Sequence, residues 1–122
     1  MGARVLIAED EPNIVVSLEF LLGQAGYEVQ VATSGDDTLR ALQSFRPDLI
    51  LLDLMLPGIN GFEICKRLRA DPDFAAIRIV MLTARGRSTE VAKGLALGAD
   101  AYVTKPFGTR ELLASIRSLL GQ

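Results

Sequence analysis

Four short apolar runs of the chain each end in a polar or charged side chain. In chain order these side chains are Glu9 and Asp10, then Asp53, then Thr83, then Lys105. Two like charges about 4 Å apart repel by roughly 4 kcal/mol at an effective dielectric of about 20, so three acids gathered in one crevice require a cation, a basic partner or a raised pKa. Carboxylate oxygens beside a single lysine suit a hard cation, Mg²⁺ before Ca²⁺. An acidic crevice that holds Mg²⁺ and an ammonium group can in turn bind phosphate.

Asp53 is the candidate nucleophile of this set. It directly follows the apolar run Leu49–Leu52, so a buried strand would hold its backbone. A carboxylate can attack phosphorus and form an aspartyl phosphate, and phosphoryl transfer needs charge neutralisation and orientation, which Mg²⁺, Lys105 and Thr83 could supply. Taken singly, each residue is typical of a turn, a helix cap or a solvated charge. The four strand ends taken together favour a common site.

The composition excludes several other kinds of site. Among 122 residues there is no histidine and no tryptophan, and there is one cysteine. A Ser-His-Asp triad, a Cys-His pair, a His-ligated zinc and an internal disulfide are therefore ruled out. The net charge of −2 lacks the basic surplus of a nucleic-acid-binding surface. Because no apolar run approaches the ~18 residues of a membrane span and none resembles a signal peptide, we expect a cytoplasmic domain without membrane contact.

Five short apolar runs alternate with five segments of helical periodicity, and these elements must position the candidate residues. Continuous apolar runs are typical of strands buried on both faces of a parallel sheet. The order predicts an α/β fold, a flavodoxin-like doubly wound (βα)5 three-layer sandwich with a five-stranded parallel sheet in the order 2-1-3-4-5. We expect residues 1–122 to form a single domain, with its ligand site where strands 1 and 3 diverge. The predicted strands are Val5–Ala8, Val29–Ala32, Leu49–Leu52, Ile79–Leu82 and Ala101–Thr104.

Capping residues predict where the helices begin and end. Pro12 suits the first turn of the first helix, and Gly26 suits the position just after its end. Two later helices are predicted to begin at capping-box spacings, in which a small polar residue is followed three residues on by an acid. The predicted N-caps of the second to fifth helices are Ser34, Asn60, Ser88 and Thr109.

Four motifs spread along the chain make a family resemblance specific. They are Val5–Glu11, Pro47–Gly58, Val80–Ala84 and Gly98–Phe107. Through them the sequence resembles the receiver domains of two-component response regulators, which share a chemotaxis-regulator-like fold, over nearly its whole length. The resemblance implies that Asp53 is the phosphoacceptor. It also implies a signalling role, in which the domain catalyses its own Mg²⁺-dependent phosphorylation and dephosphorylation.

By the same resemblance, the metal site consists of acidic side chains and one backbone oxygen. Mg²⁺ is expected to be held by Asp10 directly, by Glu9 through water, by Asp53, and by the backbone carbonyl of Met55; Mn²⁺ is expected to substitute. Lys105 is expected to pair with the phosphoryl oxygens.

The resemblance also implies a conformational switch. The Thr83 hydroxyl is expected to move to the phosphoryl group, and Tyr102 to turn inward when it does. Ala84 is small where the phosphoryl group would lie, and the peptide bond before Pro106 is expected to be cis. The face switched in this way is made by the fourth helix, the fifth strand and the fifth helix.

The partners follow from the absent histidine. A receiver takes its phosphoryl group from a phosphohistidine, so the donor must lie on another domain, in a histidine kinase or a histidine phosphotransfer protein. The output is expected to pass to a downstream effector protein or a fused output domain, without nucleic-acid contact by this domain itself.

Two departures from the family pattern bear on output and lifetime. Receivers of the winged-helix subfamily dimerise through a ladder of charges, and the corresponding positions here hold Val91, Ala101 and Ser115. The ladder is missing, which leaves a more apolar patch that could dock a partner. Met55 and Arg85 flank the site two residues after Asp53 and Thr83. Because Met55 offers no acid or amide to orient an attacking water, we expect slow self-dephosphorylation.

Three alternative functions would use the same fold or the same chemistry. A flavin-binding module would need a hydroxyl- and glycine-rich loop after the first strand, where this chain has Glu9, Asp10 and Glu11. A dehalogenase-type phosphatase has a second aspartate two residues after its nucleophile, where this chain has Met55. A degenerate receiver would act by protein contact alone and would not need the complete set of phosphorylation residues.

Overall fold

A single parallel sheet lies at the centre of the fold. The computed structural model describes residues 2–83 and 88–122, with only the backbone of residues 88 and 89. The strands are β1 (Arg4–Ala8), β2 (Glu28–Ala32), β3 (Leu49–Asp53), β4 (Arg78–Thr83) and β5 (Ala101–Thr104), and the helices are α1 (Pro12–Gln24), α2 (Gly35–Phe45), α3 (Gly61–Ala70), α4 (Ser88–Ala96) and α5 (Thr109–Leu119). The sheet order is β2-β1-β3-β4-β5, so the predicted doubly wound α/β topology is confirmed.

Helices cover both faces of the sheet, because side chains alternate between the faces along each strand. On β1, Leu6 packs into a core with α2 and α3, whereas Ile7 packs into a second core with α1 and α5. On β3, Ile50 and Leu51 divide in the same way. All four side chains are fully buried, and each contributes about 1.5–3 kcal/mol through burial. Two apolar cores thus hold the central strands rigidly.

The carboxyl ends of the central strands are level with one another. Ala8 pairs with Leu52, and Asp53 pairs with Leu82. Thr83 pairs with Thr104 at the neighbouring strand. The sheet order reverses between β1 and β3, which opens a crevice at this edge. The side chains that follow these strand ends therefore share one end of the sheet.

Most predicted helix boundaries are confirmed. The Ser34 and Asn60 side chains accept hydrogen bonds from backbone N–H groups three residues later, and Gly26 adopts a φ of 92° after α1. The prediction that Thr109 caps α5 is wrong, because Thr109 is already the first helical residue and Gly108 occupies the cap. The Glu111 side chain lies where any side chain at Gly108 would be. The predicted cap at Ser88 lies outside the described side chains.

In the described part of the chain, no helix has both the length and the apolar character needed to cross a membrane.

Candidate functional site

Three carboxylates converge at the carboxyl ends of β1 and β3. Glu9, Asp10 and Asp53 each offer an oxygen, and these oxygens lie within 4.8 Å of one another. Glu9 is fully buried, Asp53 is 3% exposed and Asp10 is exposed. The Glu9 backbone continues the line of β1, since its N–H donates to the Ala32 carbonyl at 3.0 Å. The structure thus brings together the three acids that the sequence placed on two separate strands.

Backbone N–H groups orient two of these carboxylates. Glu9 Oε2 accepts from the N–H groups of Asp10 and Glu11, at 3.1 and 3.2 Å. Asp53 Oδ1 accepts from the Met55 N–H at 3.2 Å. These bonds fix the orientation of both carboxylates at the strand ends.

Lys105 supplies the positive charge of the site. Its Nζ lies 2.6 Å from Glu9 Oε1, 3.5 Å from Asp53 Oδ1 and 3.8 Å from Glu11 Oε1. Burial lowers the pKa of Lys105, but the bond to Glu9 and the charges of Asp53 and Glu11 raise it by more, and the net shift is upward. The ammonium therefore stays charged at neutral pH.

The position of Lys105 is set by the backbone. Its N–H donates to the Thr83 carbonyl at 2.6 Å, and its peptide bond to Pro106 is cis. The side chain is 11% exposed. This backbone hydrogen bond holds the end of β5 against the end of β4, beside the three carboxylates.

The Glu9 carboxyl has a raised pKa because it is buried. Lys105 and the Glu11 N–H oppose this shift, and the neighbouring Asp53 adds to it. A divalent cation among the three carboxylates would act in the opposite direction, because it favours the charged form. The site without a cation thus holds more negative charge than its lysine alone offsets.

Thr83 and Tyr102 lie on the β4–β5 side of the site. Thr83, the last residue of β4, is 3% exposed. The Tyr102 hydroxyl is buried and has no hydrogen-bond partner among the described residues. Burial raises the pKa of Tyr102, the Thr83 side chain lowers it, and the Glu90 charge raises it. The side chains of Thr83 and Tyr102 are thus neighbours and interact with each other.

One of the remaining predicted site residues, Met55, lies in the part of the chain that the structure describes. Met55 follows Asp53 with its side chain 76% exposed, so the side chain stands open to solvent beside the acids. Ala84 and Arg85 lie outside the described residues.

Sequence reasoning gave no structural role to Gly61 and no site role to Glu11. A Cβ at Gly61 would lie 2.7 Å from the Asp53 carbonyl oxygen and 2.9 Å from Leu54 Cα, so the start of α3 touches the backbone that carries Asp53. Glu11 is a third acid around Lys105. The Asn60 cap could have indicated that Gly61 begins a helix, but not what it packs against.

The donor set fits a magnesium ion. Mg²⁺ binds oxygens at about 2.0–2.1 Å in an octahedron, so two opposite ligands lie about 4.2 Å apart. The three carboxylate oxygens lie within 4.8 Å of one another, so one ion placed among them could contact more than one carboxylate. The exposed side of Asp10 leaves room for the waters that Mg²⁺ retains. The fold and this site together define a doubly wound α/β domain with an acidic, lysine-containing crevice suited to a metal ion and a phosphoryl group.

Comparisons with known proteins agree with this class. The family model of the response regulator receiver domain matches residues 5–117. The chain is 45% identical over 120 residues to the phosphate regulon transcriptional regulatory protein PhoB of Rhizobium meliloti, covering 98% of this chain and 53% of PhoB. It is 44% identical to the DNA-binding response regulator MtrA of Mycolicibacterium smegmatis, covering 98% of this chain and 51% of MtrA. The chain thus spans about half the length of these curated relatives.

Solved structures share the fold over its full length. A putative response regulator from Chloroflexus aurantiacus superposes with a TM-score of 0.94 at 36% identity, covering 100% of both chains. The receiver domain of the sensor histidine kinase PA1611 from Pseudomonas aeruginosa, with a magnesium ion coordinated in its active-site cleft, gives 0.90 at 29% identity and 100% coverage of both.

The chain belongs to the response regulator receiver family. It is a receiver domain of two-component signal transduction, and its role is that of a signalling phosphoacceptor. Family membership excludes the flavin-binding module and the dehalogenase-type phosphatase.

Proposed function

We propose that Asp53 is the residue that accepts the phosphoryl group. The observation that carries this proposal is the carboxylate cluster of Glu9, Asp10 and Asp53 with the Lys105 ammonium beside it. An Asp53 oxygen attacks phosphorus, the bond from phosphorus to the donor imidazole nitrogen breaks, and the imidazole leaves after taking up a proton. Lys105 is 3.5 Å from Asp53 Oδ1, where it can neutralise charge on the phosphoryl oxygens.

The metal in this proposal is Mg²⁺, with Mn²⁺ able to substitute. Asp10, Asp53, the Met55 carbonyl and, through water, Glu9 would hold it. When bound, Mg²⁺ would supply positive charge to the phosphoryl oxygens. The same arrangement would support self-catalysed phosphorylation from a small donor and later hydrolysis of the aspartyl phosphate.

Thr83 and Tyr102 are the proposed switch. Thr83 lies at the end of β4, next to the strand that carries Asp53, so its hydroxyl can turn to a phosphoryl oxygen. The Tyr102 hydroxyl is already buried beside it. Movement of Thr83 would be felt by Tyr102 and then by the face of α4, β5 and α5.

The proposed partners lie on both sides of this reaction. With no histidine in the chain, a histidine kinase or a histidine phosphotransfer protein supplies the phosphoryl group. The output passes to an effector protein or a fused output domain, and residues 1–122 act as one cytoplasmic receiver that does not itself contact nucleic acid.

Labelling by acetyl phosphate tests the assignment. With Mg²⁺, the intact protein should gain the mass of one phosphoryl group, and Asp53→Asn should gain none. Asp73→Asn removes an exposed aspartate of the α3–β4 loop and should label normally. Full labelling of Asp53→Asn would reject Asp53 as acceptor. Absence of labelling in the unaltered chain, with every donor and metal tried, would favour the degenerate receiver.

A further inference from the structure

The Tyr102 ring lies in a slot on the inner side of α4. A Cβ added at Gly94 would be 3.2 and 3.3 Å from two carbons of the Tyr102 ring and 3.6 Å from the Phe62 ring. The first two distances are tighter than ordinary packing, so the slot has its full depth only with glycine. Gly94 is buried in the middle of α4, where glycine weakens a helix. The helix therefore carries glycine, a poor helix former, at the position where the Tyr102 ring packs.

Glu90 lies one helical turn before Gly94 on the same side of α4. Residues four apart in a helix are neighbours on one face. Glu90 Oε1 and the Tyr102 hydroxyl are both buried, and neither has a hydrogen-bond partner among the described residues. The Glu90 oxygen is an acceptor and the Tyr102 hydroxyl can donate, so the two are complementary, although they are not hydrogen-bonded to each other in this structure.

We infer that Gly94 and Glu90 form a seat on α4 that holds Tyr102 inward, with Glu90 as the positioning residue for the Tyr102 hydroxyl. Burial and the Glu90 charge both raise the pKa of Tyr102, and Thr83 lowers it, which supports the proximity of the three groups. Lys93, the cation between the two seat residues, lies over the Phe62 ring at 4.7 Å.

The seat gives α4 a direct connection to the candidate switch. Tyr102 is in contact with the helix at Gly94 and is a neighbour of Thr83 on the site side. Tyr102 therefore links the end of β4 to α4, and a movement of Thr83 would reach the helix through this ring. This consequence rests on the proposed switch role of Thr83 and Tyr102, whereas the seat itself does not.

Tyrosine ionisation tests the Glu90 contact. Tyr27→Phe leaves Tyr102 as the only tyrosine in a chain without tryptophan, so the tyrosinate absorbance reports on Tyr102 alone. In this background Glu90→Gln should lower the midpoint by about 0.5–1 pH unit, the effect of one nearby unit charge. Glu19→Gln makes the same charge change at an exposed position of α1 and should leave the midpoint unchanged. An unchanged ionisation midpoint of Tyr102 in Glu90→Gln would show that Glu90 does not contact the Tyr102 hydroxyl.

Fluorescence quenching by acrylamide at neutral pH tests the slot. In the same background, Glu90→Ala and Gly94→Ala should increase quenching of Tyr102, and Glu90→Gln should remain near the unaltered level because its amide oxygen still accepts. A Gly94→Ala variant that is folded by circular dichroism and quenched no more than its parent would reject the slot. Both measurements use neither phosphoryl donor nor metal, so their failure is separate from a failure of Asp53 to label.

Discussion

Removing one of the three carboxylates should change stability in opposite directions with and without a divalent cation. Asp10 is the informative choice, because it is exposed and its backbone bond to Glu9 Oε2 is retained in Asp10→Asn. Its oxygen lies within 4.8 Å of those of Glu9 and Asp53. Two unit charges at that distance repel by about 1 kcal/mol in a water-like dielectric, which suits an exposed group.

Two corrections modify this figure for Asp10→Asn. Glu9 is paired with Lys105 at 2.6 Å, so Asp53 contributes most of the repulsion. Loss of a negative charge near the N-terminus of α1 costs a few tenths of a kcal/mol. Without divalent cation, the variant should therefore be more stable than the unaltered chain by roughly 0.5 kcal/mol.

Magnesium should reverse this order. At a concentration of 100 times Kd, a ligand bound only by the folded state adds about 2.7 kcal/mol to the free energy of unfolding. The unaltered chain should gain that amount, and Asp10→Asn should lose most of it because a direct ligand is missing. Urea unfolding in EDTA and in Mg²⁺, followed by circular dichroism, measures both values, with Asp73→Asn as the matched charge control.

Either half of the result can refute the reasoning. If Mg²⁺ stabilises Asp10→Asn as much as the unaltered chain, Asp10 is not a metal ligand. If the variant is less stable than the unaltered chain in EDTA, the carboxylates do not repel as their spacing requires.

Three further perturbations give separate results. Because the folded-state pKa of Glu9 is raised above 4.5, metal-free protein should lose stability as pH rises from 4.5 through that higher value, and urea titration should show no such loss in Glu9→Gln. Gly61→Ala would place a Cβ 2.7 Å from the Asp53 carbonyl oxygen, so we expect a loss of about 1–3 kcal/mol in urea unfolding; an unchanged midpoint would mean that α3 shifts freely. With Met55 exposed beside the site, the aspartyl phosphate should decay slowly, and Met55→Asn should hasten the decay several-fold by orienting water. A half-life of seconds in the unaltered chain would contradict this.

Local patterns in the sequence predicted the sheet and most helix ends. The apolar run Leu49–Leu52 gives a buried strand because both sheet faces are covered, and only its end was one residue short, since Asp53 is the last residue of β3. Ser34 and Asn60 were predictable as caps because each acts within three residues of itself. Thr109 was not, because the cap falls one residue earlier, at Gly108, which has no side chain and so leaves no capping signal in the sequence.

Contacts between residues far apart in the sequence could not be predicted as well as strands and helix ends. The sequence placed Lys105 near the acids through the strand order, but the closer approach to Glu9 than to Asp53 depends on side-chain geometry. The packing of Gly61 against Asp53 likewise requires the angle at which α3 meets the sheet. Such details depend on three-dimensional packing, which periodicity does not encode.

The positions at which the family resemblance leads us to expect a charge ladder are uncharged in this chain. The chain is 45% identical to PhoB of Rhizobium meliloti, yet the positions that would carry the charge ladder hold Val91, Ala101 and Ser115. In the structure, the described residues at β5 and α5 line a groove of about 340 Å³ with small and apolar side chains and no charged one: Ala101, Ala114, Ser115, Ser118 and Leu119. An interface that relies on ion pairs needs charges at these positions, so self-association of that kind is not encoded on this part of the face. The proposed phosphorylation chemistry uses residues at the strand ends, whereas the expected charge ladder concerns surface positions of α4, β5 and α5, which are uncharged in this chain.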